Sequence, residues 1–350
     1  MPTSSEVTPV VEVEKGRRPA GSTTRSAKRG ERKGAAARVL GFVNQKGLTP
    51  AIVVVLMIVV FWAMNPSGVT LNTLSTLFDQ SAALLMLALA QSLVVLMGRI
   101  DLANSALASF LCVLLVIWLN TLGPIAIPLV LLLGVAIGAL QGWVHMYFQI
   151  PSFVVTLAVS GIVGGAGLIA SGASAVSLIQ NFELVQWFYE SPGGIPLAFV
   201  IGAAIAAVLA FFVAKTARGR TLKAIGSNQR ATAYSGIRTT VTVVLGFALA
   251  GLLIGIAAIM TVGQLGTASS GIANSLLLPS IAAVVVGGTA ISGGTGGPGR
   301  IVFGALIIAL LRIGLDIIGV PQEFQPIVYG VIVIAAIAIT VNRSRTLSVV

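Results

Sequence analysis

From residue 48 onward the chain is a succession of apolar runs separated by short polar breaks. The runs lie at 48–65, 72–97, 101–119, 123–144, 151–171, 195–214, 241–263, 275–292, 300–318 and 322–341. Each is long enough, or nearly so, to cross bilayer hydrocarbon as a helix, which takes about 20 apolar residues. The pattern predicts an all-α, polytopic membrane protein of about ten transmembrane helices. The run at 101–119 opens on Asp101 and Asn104, so a broken or re-entrant helix is a second reading there. Irregular backbone at depth is tolerated only beside protein or a water-filled cavity. The polar stretch 172–194 carries Phe182, Trp187, Phe188, Tyr189 and Pro192, and reads as a short helix at the membrane surface.

Composition strengthens this picture. Of 350 residues, 56% are hydrophobic and 9% charged, against about 25% charged in soluble domains. Mean hydropathy is +1.01. The 40 glycines suit close approach of membrane helices. A single cysteine, Cys112, excludes an internal disulfide or a cysteine metal site. A single histidine, His145, excludes a multi-histidine site and reads as an interfacial side chain at the end of an apolar run.

Charge supplies orientation. The net +11 is concentrated in two blocks. Residues 1–47 hold ten Lys/Arg and four Glu, and residues 215–238 hold six Lys/Arg and no acid. Two blocks on separate segments do not form a basic face for nucleic acid. The first block lacks apolar periodicity and reads as a disordered basic tail (1–47) on the cytoplasmic side, too long and too basic for a cleaved signal. With the N-terminus inside, alternation places Arg99, the 215–238 block, Arg300, Arg343 and Arg345 on the inner side. Glu183, Glu190 and Glu323 fall on the outer side. This satisfies the positive-inside rule and predicts a cytoplasmic C-terminal tail (342–350) and an even span count. The transmembrane body is thus 48–341, with a cytoplasmic loop at 215–240.

Chemistry-bearing constellations are sparse. No Gly-x-x-x-x-Gly-Lys-(Ser/Thr) phosphate loop occurs, and the glycine-rich run Gly287–Gly299 has no lysine. It reads as packed or flexible backbone joining two spans. Asp79 is an acid within the second run, and Arg312 and Asp316 are spaced to pair on one helix face. Gln91, Ser92, Asn104, Thr156 and Ser160 are polar residues in or near spans, open both to a role in a translocation path and to helix-packing hydrogen bonds. An intramembrane enzyme would need a nucleophile, paired acids or a metal set at depth, and none is present. The sparse mid-membrane acids also argue against an ion-coupled carrier. Within 215–238, Ala224 to Tyr234 reads as a short helix with small residues that permit close docking.

That loop is where a family resemblance emerges. Gly219-Arg220, Ala224-Ile225-Gly226 with Asn228, Ala231 and Ser235-Gly236-Ile237 resemble the cytoplasmic coupling segment of ribose/xylose-type permeases of bacterial ABC importers. Gly98-Arg99-Ile100-Asp101-Leu102 resembles that family's Gly-Gly-Ile-Asp-Leu. Pro151-Ser152-Phe153-Val154-Val155-Thr156-Leu157 resembles its Pro-Ser-Phe-Ile-Val-Thr-Leu. The stretch Ile281–Thr289 with Gly293, Gly294 and Gly296 resembles its glycine-rich junction. The motifs fall in order over about 48–341. Arg99 replaces a glycine, and Ala103-Asn104-Ser105-Ala106 replaces the usual Ser-Val-Gly continuation.

The resemblance implies a transport subunit with no cofactor and no covalent chemistry of its own. A separate cytoplasmic ATPase would dock on Ala224–Tyr234. A second permease chain would complete the path, and an extracytoplasmic binding protein would deliver a monosaccharide-like solute. Gln91, Asp101, Asn104, Thr156 and Ser160 are then the candidate path residues. Branched-chain amino acids, an autoinducer or a nucleoside are the alternative solutes.

Overall fold

The computed structural model describes residues 49–64 and 71–340. The two tails expected at 1–47 and 342–350, with Arg343 and Arg345, lie outside the described residues.

Helix dominates. α1 spans Thr49–Met64, α2 Leu71–Leu96, α3 Asn104–Leu122, α4 Ala126–Tyr147 and α5 Ser152–Ser171. A four-residue α6, Glu183–Gln186, follows, then α7 Leu197–Lys215, α8 Ala217–Ser227, α9 Gln229–Tyr234 and α10 Thr239–Leu265. The chain ends with α11 Leu277–Val286, α12 Ile301–Ile317 and α13 Gln325–Thr340. Among the described residues, six helical runs are long and apolar enough to cross a membrane. One of them, Asn104–Tyr147, is 44 residues long, about twice a bilayer's hydrocarbon at 1.5 Å per residue. A 3₁₀ turn at Gly123–Ile125, with Pro124 inside it and Gly123 at φ +66°, divides that run. Its two halves, α3 and α4, pack on each other. Three shorter apolar helices, Pro50–Val59, Asn274–Val286 and Gln322–Ala335, accompany the six.

Several expectations change here. The break anticipated in 101–119 lies before the helix: Asp101 to Ala103 are non-helical and α3 then runs unbroken for 19 residues. The run at 275–292 yields a helix of only ten residues, α11. Gly288, Gly293, Gly294 and Gly296 all adopt positive φ, so the backbone beyond Val286 leaves helical space. The surface segment 172–194 holds α6 and two 3₁₀ turns. It also contributes a two-residue strand, β1 (Val176–Ser177), paired antiparallel with β2 (Thr267–Ala268). Asn120 organises that end: its Oδ1 accepts from the N–H groups of Ile179 and Gln180, and its Nδ2 donates to Ser177 O. Arg312 and Asp316 form no ion pair. Asp316 Oδ1 instead accepts from Gln325 Nε2 at 2.7 Å, because α13 brings an amide donor to it.

Burial follows sequence character. α2 is Leu-, Ala- and Met-rich on every face from Ala82 to Leu96, and all of those residues are buried. A helix apolar all round belongs inside a bundle. α10, α11 and α12 pack against it. α5 and α7 expose most of their apolar surface, as lipid-facing helices do.

The tightest helix pair is α4 with α10. Gly134, Gly138 and Gly142 recur every fourth residue on α4, and the first two lie against the backbone of Gly251 and Phe247 on α10. With lipid offering no hydrophobic drive between helices, such backbone-level contact is what holds them. A Cβ on Gly251 would overlap the Gly134 carbonyl. Gly251→Val is therefore expected to cost about 2 kcal/mol or more, read as a lowered unfolding temperature of the purified protein. Gly164→Ala, which meets nothing within 4 Å, should leave that temperature unchanged.

Candidate functional site

Four sequence segments with no helix in common converge at one end of the bundle. The first is the end of α2. Gly98 takes φ +73°, its N–H bonds to Val95 O, and the N–H of Arg99 bonds to Val94 O. This is a left-handed helix terminus, in which glycine carries no Cβ penalty. α11 ends the same way: Gly288 at φ +84° donates to Val285 O and Thr289 N–H donates to Val284 O.

The glycine-rich loop after α11 then folds back onto the end of α2. Gly294 N–H donates to Leu96 O at 2.9 Å. Gly293 lies on the backbone of Gly98, so closely that a Cβ there would stand 2.5 Å from its nitrogen. From a third direction α8 delivers Gly226. A side chain at Gly226 would overlap both Leu96 O and Gly294 N. Three backbones thus meet with no side chain between them.

The fourth segment is the start of α5. Ser152 Oγ accepts from Ile100 N–H at 3.2 Å, and Thr156 Oγ1 accepts from Leu102 N–H at 3.0 Å. These two hydroxyls satisfy backbone donors of the loop that enters α3. Asp101, 2% exposed, accepts from Ala103 N–H at 2.8 Å, which closes a tight turn before α3.

The expected docking helix over Ala224–Tyr234 is two helices. Asn228 stands between them in extended conformation, and its Oδ1 accepts from Ala231 N–H at 3.0 Å. An asparagine that caps a new helix ends the previous one. Thr216 does the same for α8, accepting from Gly219 N–H. Gly219 is buried where a Cβ would overlap Phe212 O, and Ile225 is 2% exposed. These residues, with Gly226, seat α8 against the bundle. Arg220 is exposed and donates to Lys215 O. Ala224 accepts from Asn228 N–H, which closes α8. Ala231, Tyr234, Ser235 and Gly236 are exposed, with Tyr234 at 90%.

Among the candidate path residues, Gln91 and Asn104 are brought together. Both are fully buried, and Asn104 Nδ2 donates to Leu87 O (3.0 Å) and to Gln91 Oε1 (3.3 Å). Gln91 Nε2 and Asn104 Oδ1 have no protein partner. Thr156 is engaged with Leu102. Ser160, a turn farther along α5, is half-buried and is not joined to this group.

Sequence reasoning missed the residues around Arg99. The guanidinium is 7% exposed. It donates through Nε to His145 Nε2 (2.7 Å), through Nη1 to Met97 O (2.8 Å) and through Nη2 to Gln229 Oε1 (2.8 Å). Burial lowers its pKa to about 10, so it stays charged. His145, expected at an interface, is half-buried and is held from its other side by Ile150 O. The one signal available was Arg99 itself, which stands where the resembling motif has a glycine. A cavity of about 470 Å³ opens beside this group, lined by Arg99, His145, Ser152, Gly226, Gln229 and Ser292.

The family model described as "Branched-chain amino acid transport system / permease component" matches residues 73–337. The chain belongs to that family. It is a polytopic membrane permease, a transport subunit and not an enzyme. It is 34% identical to a probable ABC transporter permease protein of Escherichia coli, over 84% of this chain and 89% of the relative. It is 29% identical to the ribose import permease protein of Escherichia coli, over 85% and 93%. It is 30% identical to an autoinducer 2 import system permease protein of the same species, over 86% and 92%. No solved structure matches it.

Thr156→Val removes the acceptor for the Leu102 N–H and is expected to cost about 1–3 kcal/mol, the penalty of an unsatisfied buried donor. Thr156→Ser keeps the acceptor and should retain most of the stability, with both variants read by thermal unfolding of the purified permease.

Proposed function

We propose that this permease is the membrane subunit of an ATP-driven importer of a monosaccharide-like solute, and that a separate ATPase docks on α8 and α9. In this reading the chain crosses the membrane ten times, with both ends and the 215–240 segment in the cytoplasm. It pairs with a second permease chain and receives solute from an extracytoplasmic binding protein. It carries no cofactor, since ATP is used on the partner subunit.

The observation that carries the docking assignment is the contact of Gly226 with Leu96 and Gly294. Through it a push on α8 reaches the ends of both α2 and α11 without any compressible side chain between. The exposed face of Ala231, Tyr234, Ser235 and Gly236 supplies the complementary surface. ATP binding and hydrolysis would bias two arrangements of the bundle through that contact.

The solute class is supported by relatives that import ribose (29% identical) and D-allose (28% identical). It is supported also by the Gln91–Asn104 pair. Its two unpartnered atoms are one donor and one acceptor, and a sugar hydroxyl can satisfy both. A zwitterionic amino acid would instead ask for charged groups. The autoinducer 2 relative at 30% identity keeps that solute as the second reading.

Gly226→Glu places a charged side chain into the junction. Transport and recovery of the ATPase with the tagged permease should both fall at least about tenfold, which corresponds to about 1.4 kcal/mol or more. Wild-type recovery with wild-type transport would refute the docking assignment. For the solute, proteoliposomes holding the complete importer should take up labelled D-ribose or D-allose with ATP. Uptake of leucine instead would refute the sugar assignment.

A further inference from the structure

We infer that Arg99 is a positioning residue that locks the coupling helices to the α4–α10 pair, so that these elements move as one body. The inference rests on the reading of α8 and α9 as the ATPase dock.

The geometry is a closed ring. Gln229 is the first residue of α9, and its side-chain oxygen accepts from Arg99 Nη2. Arg99 Nε donates to His145 in the last turn of α4. α4 lies with Gly134 and Gly138 on the backbone of Gly251 and Phe247 of α10. α10 begins at Thr239, a few residues after α9 ends at Tyr234, so the chain itself closes the circuit. The third arm of Arg99, to Met97 O, ties the ring to the end of α2.

The chemistry of each bond is directional. His145 Nδ1 lies 2.6 Å from Ile150 O, a carbonyl that can only accept. That nitrogen therefore carries the ring proton, and Nε2 offers its lone pair to the Arg99 Nε–H. The acceptors around Arg99 are an imidazole nitrogen, a carbonyl, an amide oxygen and, at 3.4 Å, the Met146 sulfur. No carboxylate is among them. Burying a cation without a counter-charge is unfavourable unless its donors are satisfied. An apolar residue would fill the same space without that penalty. What the guanidinium adds is a rigid planar fork that binds three elements along fixed directions, which a lysine ammonium does not reproduce.

This link is separate from the Gly226 contact. Gly226 touches α2 and the glycine loop; Arg99 reaches α4. A displacement of α9 with Arg99 intact therefore carries the Ile150 end of α4 with it. Without Arg99, the direct side-chain link between Gln229 of α9 and His145 of α4 is lost.

The test is hydrogen–deuterium exchange on the importer complex in nanodiscs, with and without ATP and orthovanadate. In the wild type, trapping should change exchange in both 217–235 and 145–150, the latter by about tenfold, within the range of measured site-to-site couplings. In Arg99→Gln the change at 217–235 should persist while that at 145–150 falls below about twofold. Arg99→Lys should not restore it. If Arg99→Gln does not fold, Gln229→Ala and His145→Ala each cut one arm and should give the same loss at 145–150. Wild-type exchange changes at 145–150 in these variants would overturn the proposal. A wild-type permease that captures no ATPase would instead remove the docking assignment, and this inference with it.

Discussion

The carbonyl of Leu96 is the point on which the rest of the arrangement turns. It ends the central helix, accepts from the N–H of Gly294 and lies directly under Gly226. Packing at this distance is possible only where three chains lack side chains, which is the physical reason that Gly98, Gly226, Gly293 and Gly294 stand where they do. Such a junction differs from ordinary side-chain packing in its stiffness. Backbone carbonyls and amides on helix ends cannot rotate away as side chains do. Movement of α8 must then either move α2 and the glycine loop or break the contact.

Around that point the other polar features acquire a common purpose. Ser152 and Thr156 hold the Ile100–Leu102 backbone, Asp101 closes the turn into α3, and Asn104 follows within one turn to meet Gln91. The α2 terminus is thereby linked over a short distance to the buried Gln91–Asn104 pair, whose Nε2 and Oδ1 have no partner among the described residues. The α4–α10 pair supplies a second rigid body, joined to the same end by Arg99. Among the described residues the buried charged groups are Arg99 and Asp101; Asp101 holds backbone, and Arg99 joins backbone to the side chains of His145 and Gln229.

Much of this was legible in the sequence. Apolar periods announced the helices, because nothing else spans lipid without stranding backbone polar groups. The four motif segments were each recognisable, and Gly226 with its neighbours carried the resemblance to a coupling segment. Their convergence was not legible, since residues 98, 152, 226 and 294 are related only through tertiary packing. The split at Asn228 was missed because Asn228 also fits an exposed helix position; only its side-chain bond to Ala231 marks it as a cap. The shortness of α11 escaped because Gly287–Gly288 and Thr289 prolong an apolar run that the backbone no longer follows. Arg312 and Asp316 had the spacing to pair, yet Gln325 of α13 took the carboxylate, a competitor that spacing along one helix cannot reveal. Arg99 stood out only as a departure from the family's glycine, and its partners His145 and Gln229 lie 46 and 130 residues away.

The central claim is that the energy-supplying subunit meets the chain on α8 and α9. Tyr234 is the exposed large hydrophobic side chain there, at 90%. A photo-crosslinking amino acid placed at position 234, in membranes that contain the complete importer, reads the contact directly. The account predicts a covalent adduct between the permease and its ATPase, and none from the same probe placed at position 179 near the opposite end of the bundle. Adducts with the ATPase from position 179 and none from position 234 would contradict it.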